Sequence, residues 1–182
     1  MKLIILDRDG VINKESRNFI KNPAEWLPIP GSLEAIAKLN HAGYTVVITT
    51  NQSGVGRGYF DLNMLDQIHN KLHTELAKFG GKIDKIYFCP HLPDANCNCR
   101  KPKTGMFEQI EADYDVKLQQ LQPWYIGDSL RDLQLGLAMG CKFCLITGPF
   151  GDGITTLHEL SKQQTQQISI ANDLAMMVND IL

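Results

Sequence analysis

Two aspartates separated by one residue follow the first apolar run of the chain. Asp7 and Asp9 come directly after residues 3–6, Leu-Ile-Ile-Leu, and stand before Gly10. A short run rich in branched apolar residues predicts a buried strand, and carboxylates at its end would lie where α/β sheets bind ligands. Neighbouring carboxylates repel unless a cation neutralises them, and Mg²⁺ prefers carboxylate oxygens. Asp-Gly is also ordinary turn chemistry, so this stretch alone leaves a magnesium site and an acidic turn equally open.

Two further strand ends carry polar side chains of the same kind. Thr50 and Asn51 follow a predicted strand at 44–49, and Asp128 follows another at 123–126. A parallel sheet would bring them to one edge together with the two aspartates. This convergence favours a shared site over a coincidence of turns.

The side chains gathered in this way are the parts of a phosphoryl-transfer site. One carboxylate can attack phosphorus, while a magnesium ion, a lysine and a hydroxyl stabilise the phosphate oxygens. A second carboxylic acid can protonate the leaving oxygen and then activate water. Side chains at i and i+2 of an extended segment point the same way, so Asp7 and Asp9 could both face one phosphate. The basic residues Arg100, Lys101 and Lys103 precede a predicted helix and could reach the same edge.

A loop rich in cysteine leads into these basic residues. It supplies three thiols and one imidazole, the usual ligands of a closed tetrahedral zinc site. Because four protein ligands leave no open position, we expect a structural Zn²⁺ that holds Arg100 and Lys101 against the active site. The predicted ligands are Cys89, His91, Cys97 and Cys99.

Strands and helices alternate along the rest of the chain. Further strands are predicted at 83–88, 141–146 and 168–170. The alternation predicts an α/β fold with a Rossmann-like parallel sheet and helices on both faces. Apolar positions at helical spacing form one stripe of Leu65, Ile68, Leu72, Leu76 and Phe79, another of Leu130, Leu133, Leu137 and Ala138, and a third of Leu174, Met177, Val178 and Ile181.

A loop at 11–30 contains three prolines and is too rich in them for a helix. We expect Trp26, Leu27 and Ile29 to anchor this loop by packing. Its position beside the first strand end suits a functional loop.

Length and composition bound the class of protein. The 182 residues suit one domain spanning 1–182, and 43% of them are hydrophobic. The net charge of −2 gives no reason to expect nucleic acid or an anionic membrane as a partner. With no apolar run of membrane-spanning length and no signal-peptide pattern, we expect a cytoplasmic protein. We also expect a monomer.

Some residues that could carry chemistry have a structural explanation. Cys141 and Cys144 form a C-x-x-C pattern, but in a strand they would point to opposite faces, so we expect small buried residues. His69 and His73 share a helix face without a third ligand, and we expect surface or boundary histidines.

Four segments together resemble the motifs of the haloacid dehalogenase superfamily, whose phosphatases use an aspartate nucleophile. Their order and spacing match over nearly the whole chain. Within the superfamily the combination is similar to the heptose 1,7-bisphosphate 7-phosphatase family, and histidinol-phosphate phosphatases share much of it. The segments are Asp7-Arg8-Asp9-Gly10, Thr50-Asn51-Gln52-Ser53-Gly54, Cys99-Arg100-Lys101-Pro102 and Gly127-Asp128-Ser129-x-x-Asp132.

The resemblance implies a role for each matching residue. Asp7 would be the nucleophile and Asp9 the general acid and base. Mg²⁺ would be held by Asp7, Asp128 and the backbone carbonyl of Asp9. Thr50 and Lys101 would stabilise the transferring phosphoryl group. The residues that would line the substrate site are Glu15, Arg17, Asn18, Asn51, Gln52, Ser53 and Arg100.

Asp132 is open to two interpretations. With Ser129 three residues before it, Asp132 resembles the second half of a capping box at the start of a helix. It could instead orient a water on the magnesium ion, and we expect it to act behind the direct ligands.

The resemblance implies a magnesium-dependent phosphoric monoester hydrolase without a large cap domain. Its substrate would be a small phosphorylated sugar, a heptose bisphosphate cleaved at carbon 7, in the carbohydrate metabolism that supplies lipopolysaccharide. The loop at 15–18 does not clearly match the substrate loop of the heptose enzymes, which leaves histidinol phosphate as an alternative substrate. A non-catalytic phosphate-binding scaffold is the alternative from another class.

Overall fold

A six-stranded parallel sheet forms the centre of the computed structural model, which describes residues 1–182. The strand order is β3-β2-β1-β4-β5-β6, and every neighbouring pair is parallel. This arrangement confirms the predicted fold class. The strands are β1 Lys2–Leu6, β2 Tyr44–Asn51, β3 Lys85–Cys89, β4 Trp124–Gly127, β5 Lys142–Ile146 and β6 Ser169–Ala171.

Helices cover both faces of the sheet. A short 3₁₀ turn, Pro23–Glu25, interrupts the loop between β1 and the first helix. No helix is long and apolar enough to cross a membrane. The helices are α1 Ser32–His41, α2 Ser53–Gly56, α3 Leu62–Ala77, α4 Gly105–Tyr114, α5 Leu118–Leu121, α6 Leu130–Ala138, α7 Gly153–Glu159, α8 Lys162–Gln166 and α9 Leu174–Ile181.

The alternation of side chains along β1 divides the core into two clusters. Ile4 and Leu6 face a cluster that includes residues of α1, α3 and α9. Leu3 and Ile5 face the opposite cluster, which includes residues of α4 and α6. Because β1 is covered on both sides, its side chains are apolar without alternation, which is why the sequence shows a continuous run.

Both cysteines of the C-x-x-C pattern are buried, as predicted. Cys144 belongs to the cluster under α1 and α9, whereas Cys141 belongs to the cluster under α4 and α6. The sheet separates the two thiols, so they serve as small core residues.

Four predicted core positions are wrong. Leu27 is exposed although Trp26 and Ile29 are buried, because successive side chains of an extended segment face opposite sides. Phe79 is exposed because α3 ends at Ala77. Leu137 and Ala138 are exposed because the buried face of α6 runs through Asp132, Leu133, Leu135 and Gly136.

The different burial of two leucines of α3 predicts that their substitution by alanine changes the free energy of unfolding by different amounts. Leu72 is fully buried and Leu62 is 52% exposed. We expect Leu72→Ala to lower the free energy of unfolding by about 2–5 kcal/mol, since it removes apolar contacts and leaves a cavity. Leu62→Ala should change it by no more than about 0.5 kcal/mol. Urea unfolding of both variants measures the difference, and equal losses would contradict the described burial.

Candidate active site

The carboxyl ends of three central strands meet at a polar pocket. Asp7 follows β1, Thr50 lies near the end of β2, and Asp128 follows β4. Since these strands are parallel neighbours, their ends share one edge. The pocket is open and has a volume of about 170 Å³. Its other lining residues are Arg8, Asp9, Glu15, Ser16, Phe19, Ile20, Asn51, Gln52, Ser53, Arg100, Lys101, Ser129, Arg131 and Asp152.

A buried lysine joins two buried aspartates at the floor of the pocket. The Lys101 ammonium lies 2.9 Å from Asp7 Oδ1 and 2.7 Å from Asp132 Oδ1. It also donates to the backbone oxygen of Thr49 at 3.0 Å. Burial works against the charged lysine, but the two carboxylates raise the pKa of Lys101 above its ordinary value. Lys101 is therefore a fixed positive charge beside Asp7.

Asp132 uses both carboxylate oxygens on protein donors. Oδ1 accepts from Lys101 and from the Tyr125 hydroxyl at 2.5 Å, and Oδ2 accepts from the hydroxyl and backbone N–H of Ser129. Burial opposes ionisation, but the Lys101 ammonium and these hydrogen bonds lower the pKa of Asp132. The capping box of α6 is present, and the same carboxylate also orients the lysine.

Asp9 is held by three side chains. The Arg8 guanidinium contacts both carboxylate oxygens at 3.0 and 3.2 Å, and the amides of Asn13 and Gln52 donate to one oxygen each. Burial opposes ionisation, but Arg8 and the amides lower the pKa of Asp9. No protein group donates to the backbone oxygen of Asp9, so that oxygen is available to a ligand.

Asp128 lies against two glycines. A Cβ atom at Gly10 would be 2.0 Å from Asp128 Oδ2, and one at Gly151 would be 2.2 Å from it. The same oxygen accepts from the backbone N–H of Asp152 at 2.7 Å. Only glycines can let the two loops approach this carboxylate so closely.

The carboxylates beside the pocket repel one another. Asp7, Asp128 and Asp132 each have an oxygen within 4.8 Å of the others. Burial, then the charge of Asp132, raises the pKa of Asp7 to about 7 despite Lys101. Burial, then the charges of Asp7 and Asp132, raises the pKa of Asp128 to about 9. A hard divalent cation would relieve this repulsion, so the donor set fits Mg²⁺.

The predicted substrate residues divide into three groups. Glu15, Ser53 and Arg100 line the pocket, and Arg100 donates only to the backbone oxygen of His91, at 3.5 Å. Asn51 also lines it, but its amide holds the backbone of Lys101, accepting at 3.0 Å and donating at 3.3 Å. Gln52 links Asp9 to the Thr50 hydroxyl. Arg17 and Asn18 are exposed and do not line the pocket, and their substrate role stays a prediction.

Sequence reasoning missed several residues of the pocket. Arg8 stands between the two aspartates, and this position was the signal that could have identified it. Arg131 lies inside the Gly-Asp-Ser-Leu-Arg-Asp segment that supplied Asp128 and Asp132. Phe19 carried no local signal.

The four predicted ligands of the metal loop are close together. Cys89 Sγ lies 3.6 Å from both Cys97 Sγ and His91 Nδ1, and His91 Nδ1 lies 3.2 Å from Cys99 Sγ. Two sulfur ligands of one tetrahedral zinc ion are separated by about 3.7 Å, because each Zn–S bond is about 2.3 Å long. The ligand atoms therefore fit one tetrahedral metal ion.

His69 is buried, which corrects the predicted surface or boundary position. It lies on α3, and its Nε2 atom is 3.3 Å from Arg8 Nη1. Burial, then the positive charges of Arg8 and His73, lowers the pKa of His69 to about 3, while Asp9 opposes the shift. The imidazole is therefore neutral in the folded protein.

Comparison with known proteins places the chain among phosphatases. The polynucleotide kinase 3 phosphatase family matches residues 2–138. The D-glycero-beta-D-manno-heptose-1,7-bisphosphate 7-phosphatase of Bordetella bronchiseptica is 47% identical, covering 100% of this chain and 98% of the relative. The enzyme of the same name from Pseudomonas aeruginosa is 46% identical, covering 99% and 97%.

A solved structure is similar over the whole chain. It is the D,D-heptose 1,7-bisphosphate phosphatase from B. bronchiseptica, complexed with magnesium and phosphate. The TM-score is 0.92 at 47% identity, and the match covers 100% of this chain and 98% of that one.

The neutral His69 predicts a dependence of stability on pH. Below about pH 6.5 the unfolded state binds a proton at this residue that the folded state does not bind, so stability falls as the pH falls. Between about pH 6.5 and 5.5 the loss from this group should be about 1 kcal/mol. We expect His69→Gln to reduce that loss, as measured by urea unfolding at each pH. An unchanged pH dependence in the variant would show that His69 titrates normally.

Proposed function

Since the chain belongs to the D-glycero-beta-D-manno-heptose-1,7-bisphosphate 7-phosphatase family of haloacid dehalogenase-like proteins, we propose that it removes the phosphate from carbon 7 of this sugar bisphosphate. The observation that carries the proposal is the arrangement of Asp7, Lys101 and Asp9 at one pocket. It offers a nucleophile, a fixed positive charge and a second carboxylate to one phosphate ester.

In the first half of the reaction, an Asp7 oxygen attacks phosphorus and the bond from phosphorus to the sugar oxygen breaks. Asp9 donates a proton to the leaving oxygen, so a neutral alcohol departs. A phosphate dianion beside Asp9 favours its protonated form by like-charge repulsion. Lys101 and the Thr50 hydroxyl stabilise the charge on the other phosphoryl oxygens.

In the second half, water attacks phosphorus of the aspartyl phosphate. Asp9, now ionised, accepts the proton from water, and the bond between Asp7 and phosphorus breaks. Inorganic phosphate leaves, and Asp7 is a carboxylate again. Arg8, Asn13 and Gln52 hold Asp9 in its ionised form for this step.

The residues that would hold Mg²⁺ are Asp7, Asp128 and the backbone carbonyl of Asp9. When bound, the ion supplies positive charge that offsets repulsion between the nucleophile and the phosphate oxygens. Asp132 supports this site by holding Lys101, in keeping with its hydrogen bonds to Ser129 and Tyr125.

The residues that would hold Zn²⁺ are Cys89, His91, Cys97 and Cys99. This ion would act structurally, because four protein ligands complete a tetrahedral site. Cys99 directly precedes Arg100 and Lys101, so fixing the loop fixes where these two side chains begin.

Arg100 suits the second phosphate of the substrate. It is half-buried at the pocket mouth, and no carboxylate pairs with it. Its planar donors can bind two phosphate oxygens at once. The exposed Arg17 and Asn18 would approach the sugar only from the pocket rim.

We also expect the protein to act as a monomer.

Phosphate release from two substrates tests the function. We expect turnover of the heptose 1,7-bisphosphate with retention of the carbon 1 phosphate, and much slower turnover of histidinol phosphate. Asp7→Asn should lower turnover at least about 1,000-fold because it removes the nucleophile, with metal content in the cysteine loop unchanged. Asp66→Asn, an exposed control on α3, should be unaffected.

Preferred turnover of histidinol phosphate would reject the substrate. Surviving activity in Asp7→Asn would reject the nucleophile, and no turnover of any phosphate ester would favour a non-catalytic scaffold.

Substitution of a cysteine in the loop at 89–99 should remove bound zinc and lower catalytic efficiency. Cys97→Ser should bring bound zinc from about one equivalent to near zero, by elemental analysis. Because the loop then no longer positions Lys101, kcat/KM should fall by about 10- to 100-fold. Asp94→Ser changes an exposed residue of the same loop and should keep both values. A zinc-free wild-type protein purified without chelators would contradict the assignment.

A further inference from the structure

The Arg8 guanidinium is a buried charge that the proposed reaction does not use directly. Arg8 is 1% exposed, although it lies between the two aspartates of the site. Its Nη2 contacts Asp9, its Nη1 lies 3.3 Å from His69 Nε2, and its Nε has no hydrogen-bond partner. Only two side chains therefore fix the orientation of this guanidinium.

His69 reaches Arg8 from a helix that is otherwise packed into the core. It lies on the buried face of α3, between Leu65 and Leu72, and its ring is 6.0 Å from that of Phe88. Arginine nitrogens can only donate, so Nε2 accepts the hydrogen bond and the imidazole proton sits on Nδ1. The contact requires the neutral imidazole.

We propose that His69 is a positioning residue for the acid step, acting through Arg8 to orient the carboxyl group of Asp9. The inference rests on the proposed function, because it assigns a task to a residue that serves the same reaction. Asn13 and Gln52 each hold one Asp9 oxygen, while Arg8 alone spans both. A guanidinium that turns therefore turns the carboxyl group with it.

Removal of the acceptor at residue 69 leaves the buried Nη1 donor unsatisfied. A buried donor without a partner is unfavourable, so it seeks another acceptor. The Asp9 carboxylate is the nearest charged acceptor that Arg8 already contacts. The guanidinium would rotate onto it and draw the acid away from the leaving oxygen.

Two substrates with different leaving groups distinguish a positioning role of His69 from a merely structural one. A sugar alkoxide needs a proton as it leaves, whereas p-nitrophenolate leaves readily without one. The value of kcat/KM reports steps up to formation of the aspartyl phosphate, so it isolates the acid role of Asp9 from its later role as base. A misplaced acid should slow only the sugar ester.

The test compares two uncharged replacements of similar size. His69→Leu removes the acceptor, and His69→Gln keeps one. We expect His69→Leu to lower kcat/KM for the heptose bisphosphate by about 10-fold or more, with a change under about 3-fold for p-nitrophenyl phosphate. His69→Gln should restore most of the loss. His73→Leu, an exposed control one turn along α3, should leave both substrates unaffected.

Arg8→Lys provides a second route if His69→Leu does not fold. Lysine keeps the charge but cannot span both Asp9 oxygens and His69, so the same selective loss is expected. Equal losses on both substrates, or no loss in a folded His69→Leu protein, would overturn the inference. If the unmodified protein cleaves p-nitrophenyl phosphate but not the bisphosphate, the proposed substrate fails instead, and an alkyl phosphate that it does cleave serves as the ester. If it cleaves neither, both proposals fail.

Discussion

The arrangement of the site depends on one buried ammonium group shared by two carboxylates. Lys101 is almost fully buried, and it lies between Asp7 and Asp132. A buried charge is tolerated only when partners replace the hydration that it loses. The carbonyl of Thr49 supplies a further partner, and Asn51 fixes the lysine backbone. Strand β2, the residue after β1 and helix α6 therefore contribute to the environment of a single charge, and loss of either carboxylate would leave it with only one anionic partner.

The carboxyl groups at this edge of the sheet are crowded, and two glycines allow this crowding at Asp128. Asp128 is pressed against Gly10 and Gly151, and its pKa of about 9 shows how strongly burial and neighbouring charges disfavour ionisation. Asp9 has the opposite shift, because Arg8 and two amides stabilise its charge. Asp7 and Asp9, which are separated by one residue, therefore have pKa values shifted in opposite directions. Attack by an ionised Asp7 and proton donation by Asp9 would therefore require a cation that lowers the pKa of Asp7 and a phosphate dianion that raises the pKa of Asp9.

The sequence predicted the sheet and most of the pocket because both have local signals. Short branched runs mark strands buried on two faces, and polar residues at their ends mark the edge where ligands bind. The contributions of His69 and Tyr125 were not predictable, since His69 reads as a surface or boundary histidine and Tyr125 as an ordinary strand residue until the fold brings them to Arg8 and Asp132. Exposure of Leu27 and Phe79 could not be read from apolar type alone, because it depends on where a loop turns and a helix ends.

The charged centre of the site can form only late in synthesis, because its residues are far apart along the chain. The chain emerges with β1, β2 and β3 first, and then the cysteine-rich loop at 89–99, before β4 joins the other side of β1. A nascent chain shorter than 101 residues carries both aspartates after β1 but lacks the ammonium that balances Asp7. A chain that has passed Lys101 still lacks Asp132. The charged centre can therefore be completed only after most of the protein has left the ribosome.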